Sequence, residues 1–205
     1  MPRITRDEAT LITRRRLIEA GSRLLAEKGL AGISGSAVAR DAGVAQPTLY
    51  VHFRSIDDLL GTIATERLGA LRTALRAARE RLHQGEGVDA IRETFRLPLE
   101  TLVEQADLFR LYLQQMHQPA SPTGVAARKL FDELRADLTE DLERIGLPAS
   151  TPSDRTRLEM IADSMIAQTQ ALGLGILEGR YASIDDAVDV LTRFAVGILG
   201  LGSAP

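Results

Sequence analysis

Ser34-Gly-Ser-Ala-Val-Ala-Arg-Asp-Ala-Gly43-Val-Ala-Gln-Pro47-Thr-Leu-Tyr-Val-His-Phe53 is the stretch on which the reading of this 205-residue chain turns. Ser34 has the side chain of a helix N-cap, Gly43 breaks the short helix that follows, and Pro47 stands in the first turn of a second short helix, where its missing N–H costs nothing. Val38, Ala39, Ala42 and Val44 are short apolar residues able to pack the two helices together. Two short helices around a Gly-centred turn are a helix-turn-helix, an arrangement whose second helix can lie in a DNA major groove.

The surroundings are helical as well. Asp7 to Lys28 places Leu11, Ile18, Leu24 and Leu25 inward at helical spacing and stops at Gly29. Ser55-Ile-Asp-Asp58 has the form of a capping box, opening a long helix whose stripe Leu59/Leu60, Ile63, Leu68, Leu71, Leu75 and Leu82 lasts to about His83, before Gln84-Gly-Glu-Gly87. Further helices are expected over 88–105, with Pro98 kinking or splitting it, over 106–117, and over 125–145 after a loop from Gln118 to Gly124. Thr151-Pro-Ser-Asp154 and Ser183-Ile-Asp-Asp186 open the last two, which end near Gly179 and Gly200. The fold class is all-α, with about nine helices: a helix-turn-helix domain over 1–55 and a second helical domain over 56–205.

Composition narrows the chemistry. The chain has no cysteine, which removes disulfides and thiolate chemistry, and only three scattered histidines, His52, His83 and His117. No metal site and no cofactor are expected. Neither a paired nucleophile and base nor a phosphate-binding loop is visible, so an enzyme is the weaker reading, as is a helical dimer that binds only protein. No run of about 18 apolar residues is present, and the opening residues are charged where a signal peptide would be apolar, so a cytoplasmic protein with no membrane partner is expected.

The net charge of −3 speaks at first against nucleic acid. It is unevenly spread: residues 1–55 carry nine basic and five acidic side chains, net +4, and the remainder carries 16 and 23, net −7. Arg3, Arg6, Arg14, Arg15 and Arg16 crowd the amino-terminal arm and first helix, within reach of phosphates or a minor groove. Gln46, Thr48, Tyr50 and His52 are free to face outward from the second short helix. Gln can pair with adenine, Thr can touch a thymine methyl, and Tyr and His can donate to phosphate oxygens.

Arg16-Leu-Ile-Glu-Ala20, Gly29, Val38-Ala39, Ala42-Gly-Val44, Thr48-Leu-Tyr-Val-His-Phe53 and Leu59, spaced without a gap, resemble the DNA-binding domain of the TetR (tetracycline-repressor) family of bacterial transcriptional regulators. The resemblance covers about residues 10–60. It implies that Gln46, Pro47 and Thr48 face base edges and the neighbouring sugar-phosphate, that Tyr50 and His52 grip phosphates, and that Ser34 and Ser36 meet the backbone. Leu49 and Phe53 match buried positions.

Three residues depart from the family pattern. Ile56 stands where a phosphate-binding Lys is usual, with Arg54 as its replacement. Gly35 stands where an apolar residue is usual and loosens the second helix by up to about 1 kcal/mol on propensity. Ala45 is a poor cap for the third helix. Ser36 occupies the position of a base-reading Arg in the family's name-giving repressor, so the operator should differ.

Beyond residue 56 the likeness is one of pattern. It implies a homodimer bound to a palindromic, double-stranded operator and a small-molecule effector of unknown identity that releases the repressor. Gly173, Gly175, Gly197 and Gly200 in the last two helices permit close helix approach at such a dimer interface. Candidate effector-binding residues are Phe95, Phe109, Tyr112, Leu113, Met116, His117, Phe131, Met165, Gln168 and Thr169, an apolar set with few polar groups. His117 and Gln168 stand out, because a buried polar group needs a partner.

Overall fold

The computed structural model describes residues 5–82, 88–118 and 120–199. Expectations that fall on Arg3, His83, the Gln84–Gly87 stop, Gly200 and the side chain of Leu82 lie outside what it describes. The described residues form nine α-helices and no strand: α1 Arg6–Lys28, α2 Gly35–Asp41, α3 Gln46–His52, α4 Ile56–Leu82, α5 Val88–Glu104, α6 Ala106–Gln115, α7 Pro122–Arg144, α8 Pro152–Leu177 and α9 Ile184–Leu199. One turn of 3-10 helix, Leu30–Gly32, follows α1.

Local sequence accounts for most of the helix ends. Thr5 and Glu8 make a reciprocal capping box at the start of α1. Ser34 Oγ accepts from the Ala37 N–H at 3.2 Å, and Ser183 Oγ from Asp186 at 3.1 Å. At α4, Ser55 Oγ accepts from the Asp58 N–H at 3.0 Å, but the Asp58 carboxylate reaches past the cap to the Arg54 N–H at 2.9 Å. Gly43, at φ 67°, closes α2: its own N–H donates to the Arg40 carbonyl and that of Val44 to Ala39. Gly146 and Gly179 end α7 and α8 in the same way.

Of the two outcomes expected at Pro98, the split does not occur: α5 runs unbroken through it. One helix boundary is corrected. α7 begins at Pro122, inside the segment read as loop, because Ser121 Oγ accepts from the Gly124 N–H at 2.9 Å; Gly124 is a residue of the first helical turn.

The helices belong to two compact units. The first comprises Met1–Gly69 and Asp107–Lys129. Its interior holds Leu17, Ile18, Leu24 and Leu25 of α1, Val38 and Ala39 of α2, Leu49 of α3, and Leu59 and Ile63 of α4. Gly21 lets α1 lie close on α4, since a Cβ there would come within 2.8 Å of Ile63 Cδ1. Leu11, expected to point inward, is instead 68 % exposed, because burial of α1 starts at Leu17. Gly61 of α4 packs against Pro122, and the buried Thr123 donates to Asp57 at 3.4 Å. Arg67 grips Asp107 with both nitrogens, at 2.5 and 3.2 Å.

The second unit comprises Ala70–Ala106 and Leu130–Pro205. α9 packs on α5 and α8, with Phe95, Leu99, Val188 and Leu191 at the centre. A second cluster joins Leu142 to Leu158 and Ala162. The carboxylate of Asp137, buried on α7, receives Arg72 at 2.8 and 3.0 Å and Arg79 at 3.1 Å, both from α4, while Arg79 also pairs with Asp141 at 3.0 Å. That hydrogen bond to Asp137 is the main reason the Arg72 guanidinium is held above its ordinary pKa.

Candidate nucleic-acid interface and effector-binding residues

α3 is only seven residues long, so its orientation comes from anchors rather than from its own stability. Leu49 is fully buried and Phe53, the residue that ends the helix, is 2 % exposed. The Arg14 guanidinium lies 4.9 Å from the centre of the Phe53 ring and covers it from α1. The α2–α3 turn is equally confined: Arg16 Nη2 lies 3.1 Å from where a Cβ on Gly43 would stand. As expected, Ala45 supplies no side-chain cap; Pro47 in the first turn removes one of the N–H groups that would need one.

With Leu49 turned inward, and about 100° between successive residues, the rest of α3 sorts into three rows. Gln46 and Tyr50 form one, Pro47 and Val51 the middle one, Thr48 and His52 the third. Gln46, Pro47, Tyr50 and Val51 are exposed, while Thr48 and His52 are half-buried. Ser34 and Ser36 are exposed at the start of α2, with their hydroxyl oxygens 3.2 Å apart. Arg54 is exposed just beyond α3. The exposed valine and the exposed Arg40 on α2 were missed in the sequence, because an apolar or a charged residue in a short amphipathic helix carries no directional signal by itself.

Gly35 is more than a weak helix former. It is buried beneath Tyr50: a Cβ there would stand 2.7 Å from the Tyr50 hydroxyl oxygen, 3.3 Å from Cζ and 3.5 Å from Gln46 Nε2. The missing side chain makes the seat on which Tyr50 and Gln46 rest.

The amino-terminal arginines divide by role. Arg15 pairs with Glu19 at 3.2 Å and Glu66 at 3.1 Å, and Arg14 stacks on Phe53, so both work inside the domain. Arg23 ties α1 to Asp41 of α2 at 2.8 Å. Arg6, Arg16, Arg40 and Arg54 are exposed and make no ion pair among the described residues, which leaves their charge available to an anionic partner.

The effector-binding candidates lie in both units. In the second, Phe95, Met165 and Gln168 line one small apolar cavity with Leu191, Phe194 and Ile198; its volume of about 10 Å³ admits a single water. Phe131 is half-buried beneath the Arg135 guanidinium, 4.8 Å from its ring centre. Thr169 is buried with its hydroxyl donating to the Met165 carbonyl at 2.8 Å. In the first unit Phe109 and Tyr112 are buried in α6, and Leu113 and Met116 are half-buried. His117 is exposed, so it is not a buried polar group in need of a partner. Two of the glycines expected at a dimer interface are used inside the subunit: Gly173 faces Leu102, whose Cδ1 would be 3.1 Å from a Cβ, and Gly175 faces the Tyr181 ring.

Among the described residues no group of three or more His, Asp or Glu side chains could hold a metal ion. No helix among them is long and apolar enough to cross a membrane.

The sequence model for bacterial regulatory proteins of the tetR family matches residues 17–63, which run from the first buried turn of α1 to the second turn of α4. Solved structures match nearly the whole chain. A protein from Mesorhizobium loti assigned to the TetR family is 17 % identical, with a TM-score of 0.73 and 95 % of this chain and 98 % of that one covered. A transcriptional regulator from Rhodococcus sp. Rha1 is 23 % identical, with a TM-score of 0.66 and 94 % and 99 % covered. The multidrug binding protein EbrR, solved with imidazole, is 25 % identical, with a TM-score of 0.66 and 88 % and 93 % covered. Residues 17–63 thus match the helix-turn-helix of the tetR family of bacterial regulatory proteins, and the chain as a whole has the fold of solved structures assigned to that family.

Proposed function

We propose that this chain is a transcriptional regulator of the TetR family, a cytoplasmic homodimeric repressor that occupies a palindromic operator and leaves it when a small molecule binds. The observation that carries the reading is the outer face of α3, where Gln46, Tyr50, Thr48 and His52 surround an inward anchor of Leu49 and Phe53. Gln46, Pro47 and Thr48 meet base edges, Tyr50 and His52 donate to phosphates, and Ser34, Ser36 and Arg54 hold the backbone beside them. Arg6, Arg16 and Arg40 add charge that phosphates can use.

A face of α9 supports the dimer. Val190, Phe194 and Ile198 recur every four residues, all exposed, and Gly197 beside them has open space where a side chain would be. Paired with α8 and with the same two helices of a second copy, that stripe closes a four-helix bundle. Two recognition helices then read half-sites about 34–36 Å apart.

The apolar cavity at Phe95, Met165 and Gln168 supports an effector site. EbrR, a multidrug binding protein, is similar over most of this chain. A drug-sized ligand needs roughly 300–1,000 Å³, so the cavity must widen by repacking of α8 and α9 when the effector enters. Phe109, Tyr112, Met116, His117 and Phe131 remain proposed contributors. An effector that favours the widened state by a few kcal/mol shifts the population away from the operator-binding form.

The test is a fluorescence anisotropy titration with duplex DNA flanking the protein's own gene, over a range of salt concentrations. The expected result is a sequence-selective complex that weakens steeply with salt and is lost in the Tyr50→Ala, His52→Ala double variant. Binding that ignores salt and sequence would refute the reading. A small molecule that raises the melting temperature of the protein should also release the DNA; tight binding without release would remove the effector part of the proposal.

A further inference from the structure

One side chain on the outer face of α3 is accounted for neither by helix formation nor by packing. Val51 is 80 % exposed, although Leu49 two residues earlier is fully buried. It stands one turn from Pro47, on the side of the helix opposite Leu49. A single exposed valine elsewhere on a surface would be ordinary. Val51 instead occupies the middle of the face that the second helix of a helix-turn-helix turns toward the major groove.

Its chemistry limits what it can do there. The side chain has no donor or acceptor, so it can neither hold a phosphate nor pair with a ring nitrogen or carbonyl oxygen. The apolar group that base pairs offer in the major groove is the thymine C5-methyl. A β-branched side chain is stiff at χ1, so its two methyl groups are presented at little cost in entropy. The flanking rows, Gln46 with Tyr50 and Thr48 with His52, supply polar contacts on either side. We infer that Val51 is a specificity-determining residue, reading a thymine methyl group in each half-site of the operator. The inference rests on the DNA-binding reading above.

The experiment uses the full-length protein and a duplex selected by it from a randomised pool. Each thymine of the selected half-site is replaced in turn, symmetrically, by deoxyuridine, which removes the methyl and leaves the base-pairing edge intact. Replacement at one position is expected to weaken binding of the wild type about fourfold per half-site, about 15-fold for the symmetric duplex, the amount that corresponds to one buried methyl group. In Val51→Ala that position becomes insensitive, so that the thymine and deoxyuridine duplexes bind within about twofold of each other. Thymines met by other side chains, such as Thr48, keep their sensitivity.

Val51→Thr, which keeps one methyl and the branched shape, is expected to retain part of the effect, with a melting temperature like that of the wild type. A deoxyuridine scan that is flat in the wild type overturns the assignment while leaving a DNA-binding regulator in place. So does a sensitive position whose loss persists undiminished in Val51→Ala. Selection of no preferred sequence would overturn the functional reading, and this assignment with it.

Discussion

Replacing Gly35 with alanine should separate stability from DNA affinity. The new methyl carbon would stand 2.7 Å from the Tyr50 hydroxyl oxygen and 3.3 Å from Cζ. Comfortable non-bonded contact needs about 3.5 Å, so the hydroxyl has to withdraw by roughly 0.8 Å. Hydrogen bonds between oxygens tolerate about 2.5–3.0 Å, and a displacement of that size takes Tyr50 out of reach of a phosphate placed for the wild type. Each hydrogen bond to a charged group contributes about 1.5 kcal/mol at the low end. Two half-sites make that about 3 kcal/mol, or roughly 100-fold in Kd. Folding responds in the other direction, since alanine at the first position of α2 gains up to about 1 kcal/mol over glycine.

The expected outcome for Gly35→Ala is an unchanged or raised melting temperature together with a roughly 100-fold weaker operator complex, read by anisotropy at fixed salt. Tyr50→Phe supplies the control. Without the hydroxyl, the same methyl should cost less than threefold. An equal loss of affinity in the Tyr50→Phe background, or no loss in the wild type, would refute the reasoning.

Other perturbations test the rest of the molecule. Asp137→Ala removes a buried carboxylate shared by Arg72 and Arg79; about 3 kcal/mol of destabilisation is expected, a fall of roughly 6–12 °C in Tm by differential scanning calorimetry. Phe194→Asp puts a charge in the exposed stripe of α9, and analytical ultracentrifugation should find monomers at concentrations where the wild type is dimeric, with weaker operator binding. Burial acts to raise the Asp107 carboxyl, but the hydrogen bond and charge of Arg67 outweigh it and leave the pKa below the ordinary carboxylate value. Its stabilisation is therefore complete above about pH 4 and is lost as pH falls through the lower folded-state value; Asp107→Asn should flatten that part of a Tm-against-pH curve.

Much of the fold was legible because helix ends are local events. Ser34, Thr151, Ser183 and the glycines at 43, 146 and 179 act within four residues of themselves, through one hydrogen bond or one positive φ. Where the local signal was ambiguous the reading failed: Gly124 looks like a breaker, yet Ser121 caps it into the first turn of α7. Leu11 fits the helical stripe of α1 but is exposed, because periodicity identifies a face and not the neighbour that covers it.

The interface followed the same division. Gln46, Thr48, Tyr50 and His52 could be picked out as the polar residues left over once Val38, Ala39, Ala42 and Val44 pack the helices; Gln46 and Tyr50 are exposed and Thr48 and His52 half-buried. The exposure of Val51 and the seat beneath Tyr50 could not, since both depend on which atoms of α2 and α3 meet. The amino-terminal arginines read as one basic cluster, whereas Arg14 and Arg15 are taken up by Phe53, Glu19 and Glu66. The effector-binding candidates were an apolar list from several helices, and helical period alone cannot tell a cavity wall from solid core.

The sequence by itself determined an all-α chain with a helix-turn-helix near its start, because caps, breakers and a 3.6-residue apolar period are written in neighbouring residues. Tertiary structure decided that residues 107–129 join the same compact unit as the helix-turn-helix, that Gly35 makes room for Tyr50, and that Gly173 and Gly175 are spent inside the subunit. Those outcomes depend on close packing between segments far apart in the chain, where a single methyl group changes which side chains can meet.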